Sequence, residues 1–225
     1  MRSKKYQSVK EKIIPTKSYS LDEAIEFIKE NSSASFDQTV EIHVHLGIDP
    51  KKTEQQVRGT VVLPGGATKK KKIAAFVSPA KEKEAKEAGA DLVGGKQLIE
   101  EIKNTGKCDF DIAVAEPDIM KDLSLIARIL GPKGLMPNPK TDTVTTEITR
   151  IISQLQKGKV SFKSDAGGNL HQAIAKVSWP KEKIKENVEA FLNVLIKSRP
   201  GGVKGLFIKN VVLASTMGPG IKVQL

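Results

Sequence analysis

The sequence predicts a mixed α/β protein of two domains. A basic α+β domain is assembled from both chain ends, residues 1–66 and 159–225, and an α/β domain is inserted between them at residues 67–158. Three observations lead there. Segments with an apolar period of two, the mark of half-buried strands, occur near both ends. Between them short apolar runs alternate with helical stretches in β-α-β-α order, which needs a parallel sheet covered on both faces. A length of 225 residues with 39% hydrophobic content is enough for more than one core.

Taken in order, Ser20-Leu21-Asp22-Glu23 is a capping-box pattern, and Leu21, Ala24, Ile25 and Ile28 follow at helical spacing. From Thr39 to Leu46, Val40, Ile42, Val44 and Leu46 share one face of a strand, and Thr39, Glu41, His43 and His45 the other. Gln56 to Leu63 reads as a second strand, closed by Pro64-Gly65-Gly66 and the lysine run Lys69–Lys72. Ile73 to Val77 is a buried-type strand. A helix is expected from Ser78-Pro79 to Gly89, then a short strand at Leu92-Val93 and a helix from Lys96 to Lys103. A strand from Phe110 to Ala115, a helix from Asp118 to Leu130 and a helix near Thr146 to Gln156 complete the insert. Alternation returns with Val160 and Phe162, followed by a Gly167-Gly168-Asn169 turn and a strand from Leu170 to Trp179. Lys181 to Lys197 carries the stripe Ile184, Val188, Phe191, Leu192 and Leu195, and Phe207 to Ala214 is the last strand. The two crossings between domains make a natural hinge.

Charge narrows the function. The net charge is +11, and from Ala190 onward the chain has five basic residues and no Asp or Glu. Such a segment suits a polyanion. Within it lies Ser215-Thr216-Met217-Gly218-Pro219-Gly220, with two hydroxyls, an apolar wedge and glycines that allow close backbone approach. Two readings fit this stretch, an edge against a ribose-phosphate chain and a hairpin turn with a core Met. Aromatic content is only 4%, so a folded RNA read through phosphate, sugar and shape fits better than a single strand stacked on exposed rings. No apolar run approaches the roughly 20 residues of a membrane span, and the N-terminus lacks a secretory h-region, so a protein of the cytoplasm or of an organelle, without a membrane partner, is expected. Cys108 is the only cysteine, which allows neither an internal disulfide nor a Cys-based zinc site.

Enzymatic patterns are missing. Gly94-Gly95-Lys96-Gln97 has Ala90 where a phosphate loop needs Gly and Gln97 where it needs a hydroxyl, and no G-x-G-x-x-G follows a strand. His43 and His45 share a strand face, as metal ligands do, or form an ordinary polar or RNA-facing surface; no third ligand stands at a telling distance. His171 has no nucleophile partner. No catalysis, cofactor or metal is expected.

Three further stretches carry a resemblance. Phe36-Asp37-Gln38-Thr39-Val40-Glu41 with Leu46-Gly47-Ile48-Asp49-Pro50 and Val57-Arg58-Gly59-Thr60, then Leu130-Gly131-Pro132-Lys133-Gly134-Leu135-Met136-Pro137-Asn138-Pro139, then Ser215-Thr216-Met217-Gly218, resemble blocks of the large-subunit ribosomal protein L-one family, in its bacterial or organellar form. The likeness runs from about Lys5 to Val223.

The resemblance implies a split β-α-β sheet in the domain made of both termini and a Rossmann-like three-layer insert. It implies binding to folded large-subunit rRNA as the mobile stalk beside the exit site, aid to the departure of deacylated tRNA, and repression of the protein's own operon mRNA. The protein off the ribosome is then a monomer. Carried over by motif, the RNA surface comprises Phe36, Thr39, Ser215, Thr216, Met217 and Gly218, with Lys163, His171 and Lys209 as nearby polar or charged groups. Phe36 reads equally as a core aromatic. Two departures from the family pattern, Ser35 where many members have Lys and a less basic turn before His171, remove possible phosphate contacts. The glycines and prolines of Gly131–Pro139 fit a rigid turn, with Lys133 touching tRNA as the alternative.

Overall fold

The computed structural model describes residues 4–14, 17–32, 34–69 and 71–224, apart from the side chains of Thr53 and Lys140. Lys70 of the lysine run and Met1–Ser3 of the basic N-terminus lie outside the described residues. The chain divides into two compact units, Met1–Thr68 with Val160–Leu225, and Lys69–Lys159. The first unit opens with α1 (Lys4–Glu11), α2 (Leu21–Glu30), β1 (Thr39–Leu46) and β2 (Arg58–Val62). The second holds β3 (Ile73–Phe76), α3 (Glu82–Glu87), β4 (Leu92–Gly94), α4 (Lys96–Thr105), β5 (Ile112–Ala115), α5 (Met120–Leu123), α6 (Ala127–Leu130) and α7 (Ile148–Gln156). The chain returns with β6 (Lys159–Lys163), β7 (Asn169–Lys176), α8 (Lys181–Lys197), β8 (Ile208–Ser215) and β9 (Ile221–Val223).

In the first unit a four-stranded sheet has the order β7-β1-β8-β9. β7 and β8 both run antiparallel to β1, so they are parallel to each other, and α8 connects them. This is a β-α-β unit split by a strand from the other end of the chain. The period of two in β1 sends Val40, Ile42, Val44 and Leu46 into the core, against Ala24, Ile25 and Ile28 of α2 and Ile184, Val188, Phe191 and Leu195 of α8. The expected capping box starts α2: Ser20 Oγ accepts the Glu23 N–H at 3.3 Å and Glu23 Oε2 accepts the Ser20 N–H at 3.0 Å. β2 and β6 form a separate two-stranded sheet.

The second unit is a three-stranded parallel sheet ordered β4-β3-β5. Its central strand serves two cores. Ala74 and Phe76 pack with Ile99, Ile102, Leu123 and Leu130 on one face, and Ile73 and Ala75 with Ala85, Ile148 and Ile152 on the other. Three layers follow from that alternation.

Several boundaries differ from the sequence expectation. The helix expected from Ser78-Pro79 begins at Glu82, because Ser78 and Lys81 are held by a buried carboxylate. Glu116 accepts the Ser78 N–H at 2.7 Å and pairs with Lys81 Nζ at 2.7 Å. Burial pushes the Glu116 carboxyl up, yet Lys81 and the Ser78 N–H outweigh it and hold it below the ordinary carboxylate value. The helix expected over Asp118–Leu130 starts with a 3₁₀ turn at Pro117–Ile119 and is broken into α5 and α6 by a second at Ser124–Ile126. Ser124 Oγ donates back to the Lys121 carbonyl at 2.6 Å, a local bond that competes with the regular helix ladder. The strands expected to reach Leu63 and Trp179 stop at Val62 and Lys176. α1 and β9 are additions that the sequence pattern did not show. No described helix is long and apolar enough to cross a membrane.

One buried polar side chain fixes where the chain leaves the first unit. Asn187 on α8 is fully buried; its Nδ2 donates to the Ile174 carbonyl at 2.9 Å and its Oδ1 accepts the Gly65 N–H at 2.7 Å. Ile174 lies at the register shift between β1 and β7, so its carbonyl is one the ladder does not serve. Replacing Asn187 with the similarly sized Leu leaves both backbone groups without their partner and is expected to cost about 2–4 kcal/mol. Urea unfolding measures this; a loss under about 1 kcal/mol would mean that Asn187 is not the anchor of this crossing.

Candidate nucleic-acid interface

Because β1 and β8 are antiparallel, the start of one meets the end of the other, with Val40 opposite Ser215. That register brings Phe36–Thr39 against Ser215–Gly218 although some 180 residues of chain separate them, since Thr39 and Thr216 are 177 apart. Two backbone-directed bonds close the junction. The Thr39 N–H donates to Thr216 Oγ1 at 3.0 Å, and the Thr216 N–H donates to the Thr39 carbonyl at 3.1 Å. Thr216 Oγ1 also reaches the Thr39 carbonyl at 3.3 Å. Lys176 Nζ, from β7, donates to Thr39 Oγ1 at 2.9 Å and to the Asp37 carbonyl at 3.2 Å.

The turn beyond β8 is held just as closely. Gln38 is buried; its Oε1 accepts the Met217 N–H at 3.0 Å, and its Nε2 donates to Ser32 Oγ at 2.7 Å. The Gly218 N–H returns to the Ser215 carbonyl at 3.0 Å. A Cβ at Gly218 would stand 2.3 Å from Ser215 Oγ, so only glycine fits without displacing Ser215. Phe36 and Met217 are 52% and 64% exposed, so neither is the core residue that the packing alternatives require. Ser215 instead points inward at 8% exposure.

The two threonine hydroxyls thus hold the edge together, while each oxygen keeps acceptor capacity for one more donor. What faces outward is an aromatic ring and a thioether. That combination packs on a sugar or base face.

Two comparisons with known proteins show the chain's family. The family model described as "Ribosomal protein L1p/L10e family" matches residues 28–219. The chain belongs to that family. Proteins named "Large ribosomal subunit protein uL1" are similar along nearly the whole chain. That of Fervidobacterium nodosum is 46% identical over 223 residues, 99% of this chain and 95% of its own length. That of Kosmotoga olearia is 47% identical, covering 99% and 96%. That of Mesoplasma florum is 47% identical, covering 99% and 98%.

The remaining expected residues are not gathered at this edge. His171 lies on the edge strand β7 opposite His43, Lys209 lies near the far end of β8, and Lys163 ends β6 in the other sheet. Lys209 is six positions from Ser215, about 20 Å along a strand. Gln38 and Lys176 are the members that sequence reasoning missed. Gln38 stood inside a recognised block, but its burial comes only from the fold. In the second unit the Gly131–Pro139 loop is a packed turn: the Leu135 N–H donates to the Leu130 carbonyl, Pro137 is buried, and Gly134 takes a φ of +69°. Lys133 Nζ lies 3.4 Å from the Gly106 carbonyl.

The two histidines read as possible metal ligands are engaged otherwise. His43 Nδ1 faces His171 Nδ1 at 2.8 Å, and His45 Nδ1 faces Asn169 Oδ1 at 2.8 Å. Among the described residues no group of three or more His, Cys, Asp or Glu is placed to hold a metal ion. Burial, then the charge of His171, push the His43 imidazole below its ordinary value, with Glu41 opposing. A bond between two Nδ1 atoms needs one of them unprotonated, which agrees with that direction. A depressed imidazole favours the neutral folded state. Its contribution is therefore complete above the ordinary value of about 6.5 and is lost as pH falls through the lowered folded value. Replacing His171 with Gln is expected to raise the His43 titration midpoint without restoring it fully, since burial remains. Proton NMR titration of the imidazole reads this directly, and an unmoved midpoint would remove His171 as a cause.

Proposed function

We propose that this chain is a component of the large ribosomal subunit that binds a folded segment of large-subunit rRNA through the Thr39–Thr216 edge. The observation that carries the reading is the pair of bonds between Thr39 and Thr216, which joins both chain ends into one surface presenting Phe36 and Met217. The relatives' printed name supports a place in the large subunit and a structural, non-enzymatic role. On this reading the protein works in the cytoplasm, on the ribosome.

The finer functions follow from the resemblance and the two-unit build. The first unit, made of both chain ends, grips the rRNA and anchors the mobile stalk. The inserted unit meets deacylated tRNA as it leaves the exit site. Off the ribosome, the protein binds a similar fold in its own operon mRNA and represses translation. Binding sites made mostly of phosphate and sugar contacts transfer between RNAs of like shape, which makes such dual use economical.

A nonspecific basic RNA chaperone is the nearest rival, since a charge of +11 alone attracts any polyanion. Salt separates the two. A specific binder keeps its preference for the folded rRNA over random duplex as salt rises, whereas a chaperone loses affinity for both alike. Met217→Ala and Phe36→Ala change exposed side chains, so each is expected to weaken binding to the folded rRNA about tenfold, about 1.4 kcal/mol, with thermal unfolding unchanged. Filter binding with the full chain measures it; equal affinity for folded and random RNA, or unchanged affinity in both variants, would sink the reading.

A further inference from the structure

Beside the Thr39–Thr216 edge lies a cavity of about 460 Å³ whose opposite wall is α1. Lys5, Tyr6 and Val9 line it from the helix, and Phe36, Met217 and Gly218 from the edge. The volume is that of a site for a small ligand, within the usual range of about 300–1,000 Å³. Tyr6 and Val9 are half-buried on the cavity side of α1, while Lys4, Lys5, Lys10 and Lys12 are exposed, with Glu11 the one acid among them. No residue of α1 is fully buried.

An eight-residue helix is not stable alone in water, so α1 owes its place to contacts with the unit beneath it. Lys12 Nζ donates to Asn31 Oδ1 at 3.1 Å and the Ile14 N–H donates to Tyr19 Oη at 3.1 Å, both just beyond its C-terminal end. Ile13 packs on the core there. The tethered end leaves the Lys4–Val9 turns standing over the cavity. They form a wall rather than a plug, because Phe36 and Met217 stay more than half exposed on the other side.

A slot with a ring on one wall, a thioether on another, the polar side chains of Asn31, Ser35 and Gln38 between them and Lys5 at its rim suits one chemical unit: a flat base, with polar edges, carrying a phosphate. We propose that this slot receives a single unstacked nucleotide of the bound RNA, its base against Phe36, Met217 and Tyr6 and its phosphate at Lys5. α1 is then a basic arm of the RNA site. The inference rests on the RNA-binding reading above, and it is continuous with that edge, since Met217 and Gly218 belong to both. Stacking a base on an aromatic wall with a cation at the phosphate is how proteins hold unpaired nucleotides.

The test uses the full chain and the folded rRNA fragment, with binding measured across a salt series. Lys4→Gln, Lys5→Gln and Lys10→Gln together keep helix propensity and are expected to lower the slope of log affinity against log salt by about one to three, one phosphate contact counting for roughly 0.7–0.9. Tyr6→Ala is expected to weaken binding about fivefold with the slope unchanged, and Tyr6→Phe to restore it. An unchanged slope and affinity in both variants would make α1 a bystander, and tighter binding would make it a lid; either result overturns the proposal. Failure of the underlying reading looks different: the unaltered chain then shows no preference for the folded RNA, and Met217→Ala changes nothing.

Discussion

The structure of the first unit depends on one pairing constraint, the insertion of β1 between β7 and β8. β7, α8 and β8 come from the C-terminal part of the chain, yet the sheet they define has a vacant central position that only a strand from the N-terminal part fills. A central strand hydrogen-bonds on both sides and buries a full face, so the unit has no core without it. Its antiparallel register with β8 decides which residues become neighbours at the sheet end. Thr39 meets Thr216 because Val40 meets Ser215, and Val40 meets Ser215 because the buried alternation of β1 allows no slip of one residue without turning Ile42 and Val44 outward. Fold and site therefore share a single cause.

That cause also explains the division of labour at the edge. Side chains expected to meet RNA directly, Thr39 and Thr216, bond to one another's backbone or to Lys176, and Ser215 turns inward. The groups left outside are Phe36 and Met217, which make no polar demand of their own. A surface fixed by internal hydrogen bonds loses little conformational freedom when a ligand arrives, so more of each contact appears as affinity. Lysines around it, on α1 and along the acid-free C-terminal segment, add attraction that salt screens. Shape at the edge and charge around it are thus separate contributions.

Much of this was legible in the chain. The capping box at Ser20–Glu23 and the alternation of Thr39–Leu46 are local signals, and local physics makes them true. Asp118–Leu130 looked like one helix because its apolar spacing is helical; its break falls at the 3₁₀ turn where Ser124 bonds back to the Lys121 carbonyl. β9 was too short, at three residues, to show a period, and it exists by pairing with β8. α1 buries nothing fully, so its sequence carries little of the apolar stripe that marks a helix. At the site, the motif residues were visible as a pattern, but the roles of Gln38 and Lys176 were not. A glutamine becomes the support of Met217, and a lysine that of Thr39, only once the fold sets their partners.

If the two chain ends make one RNA-contacting edge, both meet the same RNA. Ultraviolet crosslinking of the full chain to cellular RNA, with both the peptides and the nucleotides mapped, addresses it directly. The expected result is that peptides containing Phe36–Thr39 and Ser215–Gly218 crosslink to the same short stretch of large-subunit rRNA. Crosslinks confined to the inserted unit, or the two peptides joined to unrelated RNAs, would contradict it.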